Sequence, residues 1–140
     1  MHFVAYQSRH FGAVETLWEQ VFPDDPDWNK AAATIPAILQ ERPDLFRLAL
    51  QDETVVGAIV AGYDGHRGWL YSAAVLADHR GRGIGTALVK EAESRLRALG
   101  CVKINLQVRR LNSGAAAFYE KLGYRPEDRI SMGKRLEGHG

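Results

Sequence analysis

The sequence predicts a mixed α/β fold, in which an antiparallel meander joins a parallel β-α-β unit and helices cover both faces of the sheet. Three observations lead to this prediction. Apolar segments separated by short turns run from residue 45 to residue 75, as in a meander. A glycine-rich loop, an amphipathic helix and another apolar segment follow, which is the order of a right-handed crossover. The length of 140 residues predicts a single domain over residues 1–140.

The N-terminal third of the sequence predicts one short strand followed by helices. Residues 3–6 are the strand candidate. Apolar residues at three- and four-residue intervals predict a helix over 11–22, and the prolines at 23 and 26 end it. A second helical segment over 27–40 contains Pro36, so we expect a kink or two short helices there.

The middle of the sequence predicts the meander itself. Residues 45–50 and 55–63 are strand candidates on either side of a turn at 51–53, and together they predict an antiparallel hairpin. A tight connection over 64–68 leads to a third strand over 69–75, where Trp, Leu, Tyr and Val favour extended backbone.

The C-terminal part of the sequence alternates helices and strands. After a loop over 76–85, an apolar face predicts a long helix that Gly100 ends. The residues of that face are Ile84, Ala87, Leu88, Ala92, Leu96 and Leu99. A strand over 102–108 closes the crossover unit, a capped helix spans 112–122, and a last strand is expected over 130–134.

Charge and composition exclude several classes of function. The 18 Lys and Arg residues against 17 Asp and Glu residues leave no basic excess, so no nucleic-acid partner is expected. The single cysteine, Cys101, forms neither an internal disulfide nor a cysteine metal cluster, and we expect no metal. The longest uncharged apolar stretch, residues 54–63, is shorter than the roughly 18–20 residues that span a bilayer. The N-terminus lacks signal-peptide order, so we expect a cytoplasmic protein without a membrane partner.

The most informative feature is the glycine-rich loop over residues 78–86, which follows a predicted strand and opens a predicted helix. Free backbone N–H groups at a helix start and the helix dipole favour an anion, and glycine allows close approach. The loop contains no P-loop pattern, and Thr86 stands where a dinucleotide fingerprint has its third glycine, which disfavours a nucleotide-binding oxidoreductase. The pattern therefore predicts a phosphate cradle, and a plain strand-to-helix turn is the alternative.

Two sequence blocks resemble the GNAT superfamily of acetyl-CoA-dependent N-acetyltransferases. The first comprises Val75, the loop Arg80-Gly81-Arg82-Gly83-Ile84-Gly85, and Leu88. The second comprises Asn112 and the string Phe118-Tyr119-Glu120-Lys121-Leu122-Gly123-Tyr124. The string over residues 62–68 resembles that of the YpeA-type bacterial members. The resemblance covers nearly the whole chain in element order, with a looser match over the first 45 residues, and it implies the GNAT acyl-CoA N-acyltransferase fold.

The resemblance implies that acetyl-CoA is the cosubstrate. In the family, the loop amides hold the pyrophosphate, and the matching residues here are Arg80, Gly81, Arg82, Gly83, Ile84 and Gly85. The preceding strand pairs with the pantetheine arm between two splayed strands, which implies contacts from Ala73, Ala74 and Val75. Asn112 matches a further cofactor contact. Small alanines also suit packing under a helix, and asparagine also suits a helix N-cap.

The resemblance also implies a catalytic role for Tyr119, because the matching tyrosine of the family protonates the leaving sulfur. A phenol with an ordinary pKa of about 10 can donate that proton. A core tyrosine is the alternative. The base is open, because Gln107 stands where a related branch, the ribosomal-protein N-terminal acetyltransferases, has a glutamate. Candidates for a base, for orienting a water or for contacting the acceptor are Asp64, His66, Tyr71 and His79.

Taken together, the sequence predicts an N-acetyltransferase that moves an acetyl group from acetyl-CoA to a primary amine of a small molecule or a peptide. Direct attack in a ternary complex is implied, since no covalent nucleophile is apparent. The alternative is a catalytically silent acyl-CoA-binding module or sensor, which the missing base favours. The acceptor, the acyl chain length and a homodimeric state are left open.

Overall fold

A five-stranded mixed sheet forms the centre of the computed structural model, which describes residues 1–136. The strands, in sheet order, are β1 (His2–Ala5), β2 (Phe46–Gln51), β3 (Thr54–Tyr63), β4 (Arg67–Val75) and β5 (Lys103–Asn105). Strands β1 to β4 pair antiparallel, and β5 pairs parallel with β4. The predicted meander and parallel β-α-β unit are therefore confirmed.

The helices in the described residues are α1 (Phe11–Val21), α2 (Ala31–Glu41), α3 (Ile84–Ala98) and α4 (Ser113–Lys121). The 27–40 segment does form two helical pieces, because a 3₁₀ turn over Asp27–Asn29 precedes α2. The break falls at Lys30, whose backbone is extended, and α2 continues through Pro36. No described helix has both the length and the apolar composition needed to cross a membrane.

By its internal contacts the chain divides into two units, residues 1–107 and the part from residue 108 onward. The sheet and the first three helices belong to the first unit, and α4 belongs to the second. A single domain over residues 1–140 stays a prediction.

One face of the sheet packs against α1 and α2. The buried ring of Phe46 on β2 stacks on Tyr6 and on Trp18 of α1, with ring centroids 4.7 and 5.8 Å apart. Val60 on β3 and Ala74 on β4 lie in the same apolar cluster. This face, called the α1/α2 face below, carries a well-packed core beside β4.

The opposite face packs against α3 and depends on two glycines. A Cβ added at Gly57 would come within 2.8 Å of Leu88 Cδ1, and one added at Gly68 would come within 2.9 Å of Leu96 Cδ1. Both leucines are buried on α3. The two glycines therefore let α3 lie close against the sheet, which fixes where its N-terminus stands relative to β4.

A buried ion pair also ties α3 to the sheet. The Arg47 side chain on β2 donates from Nε to a carboxylate oxygen of Glu91 on α3 at 2.9 Å. Arg95 donates to the same Glu91 oxygen at 3.4 Å. Removing one partner of such a pair leaves an uncompensated buried charge, so loss of Arg47 or Glu91 alone would destabilise the packing of α3 on the sheet.

Three expectations about the C-terminal part were wrong. Strand β5 ends at Asn105 and does not extend over 102–108. Residues 130–134 form no strand; Ile130 and Met132 are 88% and 90% exposed, so no apolar burial offsets the entropy of ordering them. Leu99 does not join the buried face of α3, because the helix ends at Ala98 and Leu99 is 37% exposed. The predicted cap and end of α4 are confirmed, with Asn112 as N-cap and Gly123 at a φ of 99°.

Candidate functional site

The two parallel strands separate soon after they meet. Pairing between β4 and β5 covers only Arg67 to Trp69 on β4 and Lys103 to Asn105 on β5. The rest of β4, from Leu70 to Val75, has no strand on that side within the described residues. This splay leaves one edge of β4 open to a ligand that pairs with backbone.

Backbone groups of β4 face that open edge. The Leu76 N–H donates to the Val56 carbonyl at 2.9 Å, which makes these two residues a hydrogen-bonded antiparallel pair. Because such pairs alternate along a strand, the N–H and C=O of Val75 point away from β3 and toward the open edge. Ala74 is buried on the α1/α2 face, and Ala73 is partly buried. An amide-bearing arm can therefore hydrogen-bond at Val75 beside two small side chains.

A β-bulge interrupts the pairing of β4 with β3, within the stretch of β4 whose other edge is open. The register with β3 passes from Ala74 opposite Ala58 to Tyr71 opposite Val60, so Ser72 and Ala73 together face one residue of β3. Ser72 has a φ of +50°, a left-handed conformation that is uncommon outside glycine. Bulges re-aim side chains and backbone groups next to active sites. This bulge could not be predicted from the sequence, because serine is not a residue characteristic of bulges.

The glycine-rich loop presents unpaired donors at the start of α3. Gly83 is the N-cap of α3, and no side chain caps this end of the helix. The N–H groups of the first turn therefore lack intrahelical partners. Gly81 and Gly83 have φ values of 77° and 81°, and a Cβ at either would meet nothing within 4 Å. The loop is an open concavity of backbone donors at the positive end of a helix dipole, which fits a pyrophosphate.

Two arginines of the loop add positive charge. Arg80 and Arg82 are exposed, and neither forms an ion pair with any other residue among 1–136. Their guanidinium groups are therefore available to phosphate oxygens, which they can hold with two parallel hydrogen bonds. Ile84 is buried under the helix start and anchors it, while Gly85 is partly buried.

A side chain of α1 contacts the segment that leads from β4 into the glycine-rich loop. The Gln20 carboxamide oxygen accepts a hydrogen bond from the Ala77 N–H at 2.9 Å. Ala77 begins a 3₁₀ turn that ends at His79, directly before the string from Arg80 to Gly85. The Nδ1 atom of His79 is buried and has no hydrogen-bond partner in the described part of the chain. Sequence reasoning missed Gln20, because its contact with Ala77 spans 57 residues.

Both predicted site residues of the second unit lie on or next to α4. The Asn112 side-chain oxygen accepts from the Ala115 N–H at 3.0 Å, so its capping role is confirmed and its cofactor role stays a prediction. Tyr119 is half-buried and makes edge-on ring contacts with Phe118 and Tyr124, with centroids 5.0 and 5.7 Å apart. Burial raises the pKa of Tyr119, so the phenol keeps its proton at neutral pH.

Asp64 and His66 stand at the other end of β4 from the loop. The intervening strand has nine residues, so its ends lie about 26 Å apart. The Asp64 carboxylate accepts from the N–H groups of His66 and Arg67 at 2.8 and 2.7 Å, which closes the predicted hairpin turn. These backbone hydrogen bonds, that of Arg67 first, lower the pKa of Asp64. A carboxylate of lowered pKa is a weak base, and an acceptor contact for either residue stays a prediction.

We expect Asp64→Ala to lower the melting temperature at neutral pH, because two backbone N–H groups lose their acceptor. The pKa of Asp64 is lower folded than unfolded, so this stabilisation is present above about pH 4 and is lost as the pH falls through the folded pKa. Thermal melts from neutral to strongly acidic pH should show the wild-type advantage over Asp64→Ala shrinking in acid. The control Asp64→Asn keeps an acceptor oxygen and should lose the pH dependence. An advantage that is constant with pH contradicts this role.

Tyr71 lies beside the bulge, on the α1/α2 face with Val60, its partner on β3. The residue is 50% exposed, and burial raises the pKa of its hydroxyl. The structure thus brings the loop, the strand edge and Tyr71 onto one half of β4. No group of three or more metal-binding side chains occurs among residues 1–136.

Comparison with known proteins identifies the family to which this chain belongs. Residues 10–124 match the family model described as "Acetyltransferase (GNAT) family". The chain belongs to the GNAT family of acetyltransferases. GNAT enzymes use acetyl-CoA, and the open loop with its unpaired N–H groups and free arginines fits the phosphates of that cosubstrate.

Individual relatives support this membership. An acetyltransferase of Pectobacterium atrosepticum is 44% identical over 131 residues, which is 94% of this chain and 92% of the relative. An uncharacterized N-acetyltransferase of Yersinia pestis is 42% identical over the same shares of both chains. Among solved structures, the PaiA N-acetyltransferase of Thermoplasma acidophilum in complex with coenzyme A has a TM-score of 0.78 at 20% identity, with 92% of each chain covered. That likeness shows the GNAT fold.

Proposed function

We propose that this GNAT acetyltransferase transfers an acetyl group from acetyl-CoA to a primary amine, by direct attack within a ternary complex. The observation that carries the proposal is the open loop after β4, where Gly81 and Gly83 adopt left-handed backbone and uncapped N–H groups begin α3. The string over residues 62–68 supports a place among the YpeA-type bacterial members of the family.

Binding of the cosubstrate is assigned to two neighbouring features of the first unit. The backbone from Arg80 to Gly85 holds the pyrophosphate, and the two exposed arginines neutralise its charge. The open edge from Ala73 to Val75 pairs with the amide-bearing arm, as an added strand pairs with a sheet. Asn112 is assigned a further contact through its N–H₂ group, since its oxygen is committed to α4.

The reaction joins the acceptor nitrogen to the acetyl carbon and breaks the bond between that carbon and sulfur. The sulfur leaves with the electron pair and needs a proton, and the nitrogen gives one up. Tyr119 is assigned as the donor to sulfur, because burial raises its pKa and keeps the phenol protonated.

A silent acyl-CoA-binding module is the second candidate function. The observation in its favour is the absence of Asp and Glu from all five strands, so no strand residue can serve as a carboxylate base. The two candidates make opposite predictions about turnover and the same prediction about binding.

A thiol-release assay with acetyl-CoA and a panel of amines separates these candidates. The panel contains aliphatic monoamines, polyamines, aromatic amines, aminoglycosides and short peptides. We expect free coenzyme A to appear at a rate that saturates in both substrates. Calorimetric binding of coenzyme A without thiol release on any amine would favour the silent module, and no binding would contradict both.

A further inference from the structure

We propose that Tyr71 and Trp69 form an aromatic shelf that binds the acceptor and selects a flat aromatic amine whose amino group is uncharged at neutral pH. This inference rests on the proposed acetyl transfer and names the class of its acceptor. The shelf consists of these two rings and of Gly62, on which the Tyr71 ring rests.

The two aromatic residues share one face of β4. Tyr71 pairs with Val60 and Trp69 pairs with Gly62 across β3, so both side chains stand on the α1/α2 face. A Cβ at Gly62 would lie 3.2 Å from Cε2 and 3.8 Å from the hydroxyl oxygen of Tyr71. The Tyr71 ring therefore lies against bare backbone. Tyr71 is 50% exposed and Trp69 is partly exposed, so the shelf is accessible to a ligand.

The position of the shelf suits an acceptor. Tyr71 directly precedes the bulge at Ser72, at the start of the unpaired stretch of β4. The phosphate loop follows the far end of that stretch, after Val75. An arm that lies along β4 from the loop therefore points its reactive end back toward Ser72 and Tyr71. A ring stacked on the shelf then holds its amino group beside the bulge.

The charges around the shelf favour an uncharged amine. None of the five strands contains an Asp or Glu, and the cross-strand neighbours of the shelf are Val60 and Gly62. The strand residues around the shelf therefore offer no carboxylate that could take a proton from an alkylammonium ion. In an aromatic amine the nitrogen lone pair is conjugated with the ring, so the group is neutral at pH 7 and needs no prior deprotonation. A flat ring also gains stacking contact on Tyr71.

The transfer step balances for this acceptor. The lone pair of the neutral amine forms the carbon–nitrogen bond to the acetyl carbon, and the carbon–sulfur bond breaks with its electron pair on sulfur. The nitrogen releases one proton to water, and the sulfur takes one from the donor assigned above. The products are the N-acetylated aromatic amine and free coenzyme A.

The test compares two amines that carry the same ring and differ in charge. Aniline is neutral at pH 7, and benzylamine is an ammonium ion. We expect wild-type kcat/KM to be higher for aniline. Tyr71→Leu should raise the KM for aniline about five- to tenfold and leave the KM for acetyl-CoA unchanged, since stacking is lost and the loop is intact. Tyr71→Phe keeps the ring and should restore the aniline KM.

Other results would contradict the proposed role of the shelf in binding an aromatic amine. If the wild type prefers benzylamine and Tyr71→Leu raises the KM for benzylamine, these rings bind a cation. If Tyr71→Leu lowers the melting temperature and leaves the KM for aniline unchanged, the ring has only a structural role in covering Gly62. Turnover confined to amines without a ring would exclude an aromatic acceptor. In each case acetyl transfer itself would stand, whereas failure of coenzyme A to bind in calorimetry would overturn the proposed function and the shelf with it.

Discussion

Replacing Gly83 with valine is expected to weaken coenzyme A binding at least about 100-fold, which corresponds to about 2.7 kcal/mol. Gly83 has a φ of 81°, where a β-branched residue is strained, and it is the N-cap of α3. No atom lies within 4 Å of its Cβ position. The valine side chain would therefore occupy the open space that the pyrophosphate is proposed to fill, and the strain would move the N–H donors. Isothermal titration with coenzyme A measures the effect.

Gly65→Val is the matched control for Gly83→Val. Gly65 has a φ of 96°, also has no atom within 4 Å of its Cβ position, and lies in the hairpin turn before β4. The left-handed backbone costs a non-glycine residue roughly 1–2 kcal/mol at either position, so both variants should melt at lower temperature. Only Gly83→Val should lose coenzyme A affinity. Equal affinity in the two variants would contradict the assignment of the loop to the pyrophosphate.

Tyr119→Phe is expected to lower kcat about 100-fold, the lower range for loss of a general acid, with coenzyme A affinity nearly unchanged. The variant removes the hydroxyl and keeps the ring, so the edge-on contacts with Phe118 and Tyr124 remain. Because burial raises the pKa of Tyr119, the phenol stays protonated over about pH 6 to 9, and the loss should be constant across that range. Steady-state kinetics at several pH values measure both effects.

Tyr124→Phe is the control for this change, because it lies in the same aromatic cluster and keeps its ring contact with Tyr119. We expect its kcat to stay within about twofold of wild type, since nothing assigns its hydroxyl to the reaction. A Tyr119→Phe variant with full turnover, or an equal loss in Tyr124→Phe, would remove Tyr119 from the role of proton donor.

The conformation of the glycine-rich loop was predictable because it depends on residues that are adjacent in sequence. The pattern of alternate glycines between a strand and an amphipathic helix lies within a few consecutive residues. In the structure two of these glycines, Gly81 and Gly83, have the left-handed backbone that glycine readily adopts. The meander was predictable for a similar reason, since its turns and its strand-forming residues are adjacent in sequence.

Features that depend on distant residues were not predictable in this way. The bulge at Ser72 follows from the register with β3, and the hydrogen bond of Gln20 to Ala77 joins residues far apart in the chain. The extent of β5 depends on where it leaves β4, which no local pattern in residues 102–108 records. The strand expected over residues 130–134 was wrong for the same reason, because its apolar residues Ile130 and Met132 remain exposed.

A crystal structure of the protein with coenzyme A tests the central claim most directly. The account predicts that the pyrophosphate oxygens accept hydrogen bonds from the backbone between Gly81 and Gly85, with the pantetheine arm along the open edge from Ala73 to Val75. Coenzyme A bound at another surface, or absent from crystals soaked at a saturating concentration, would contradict it.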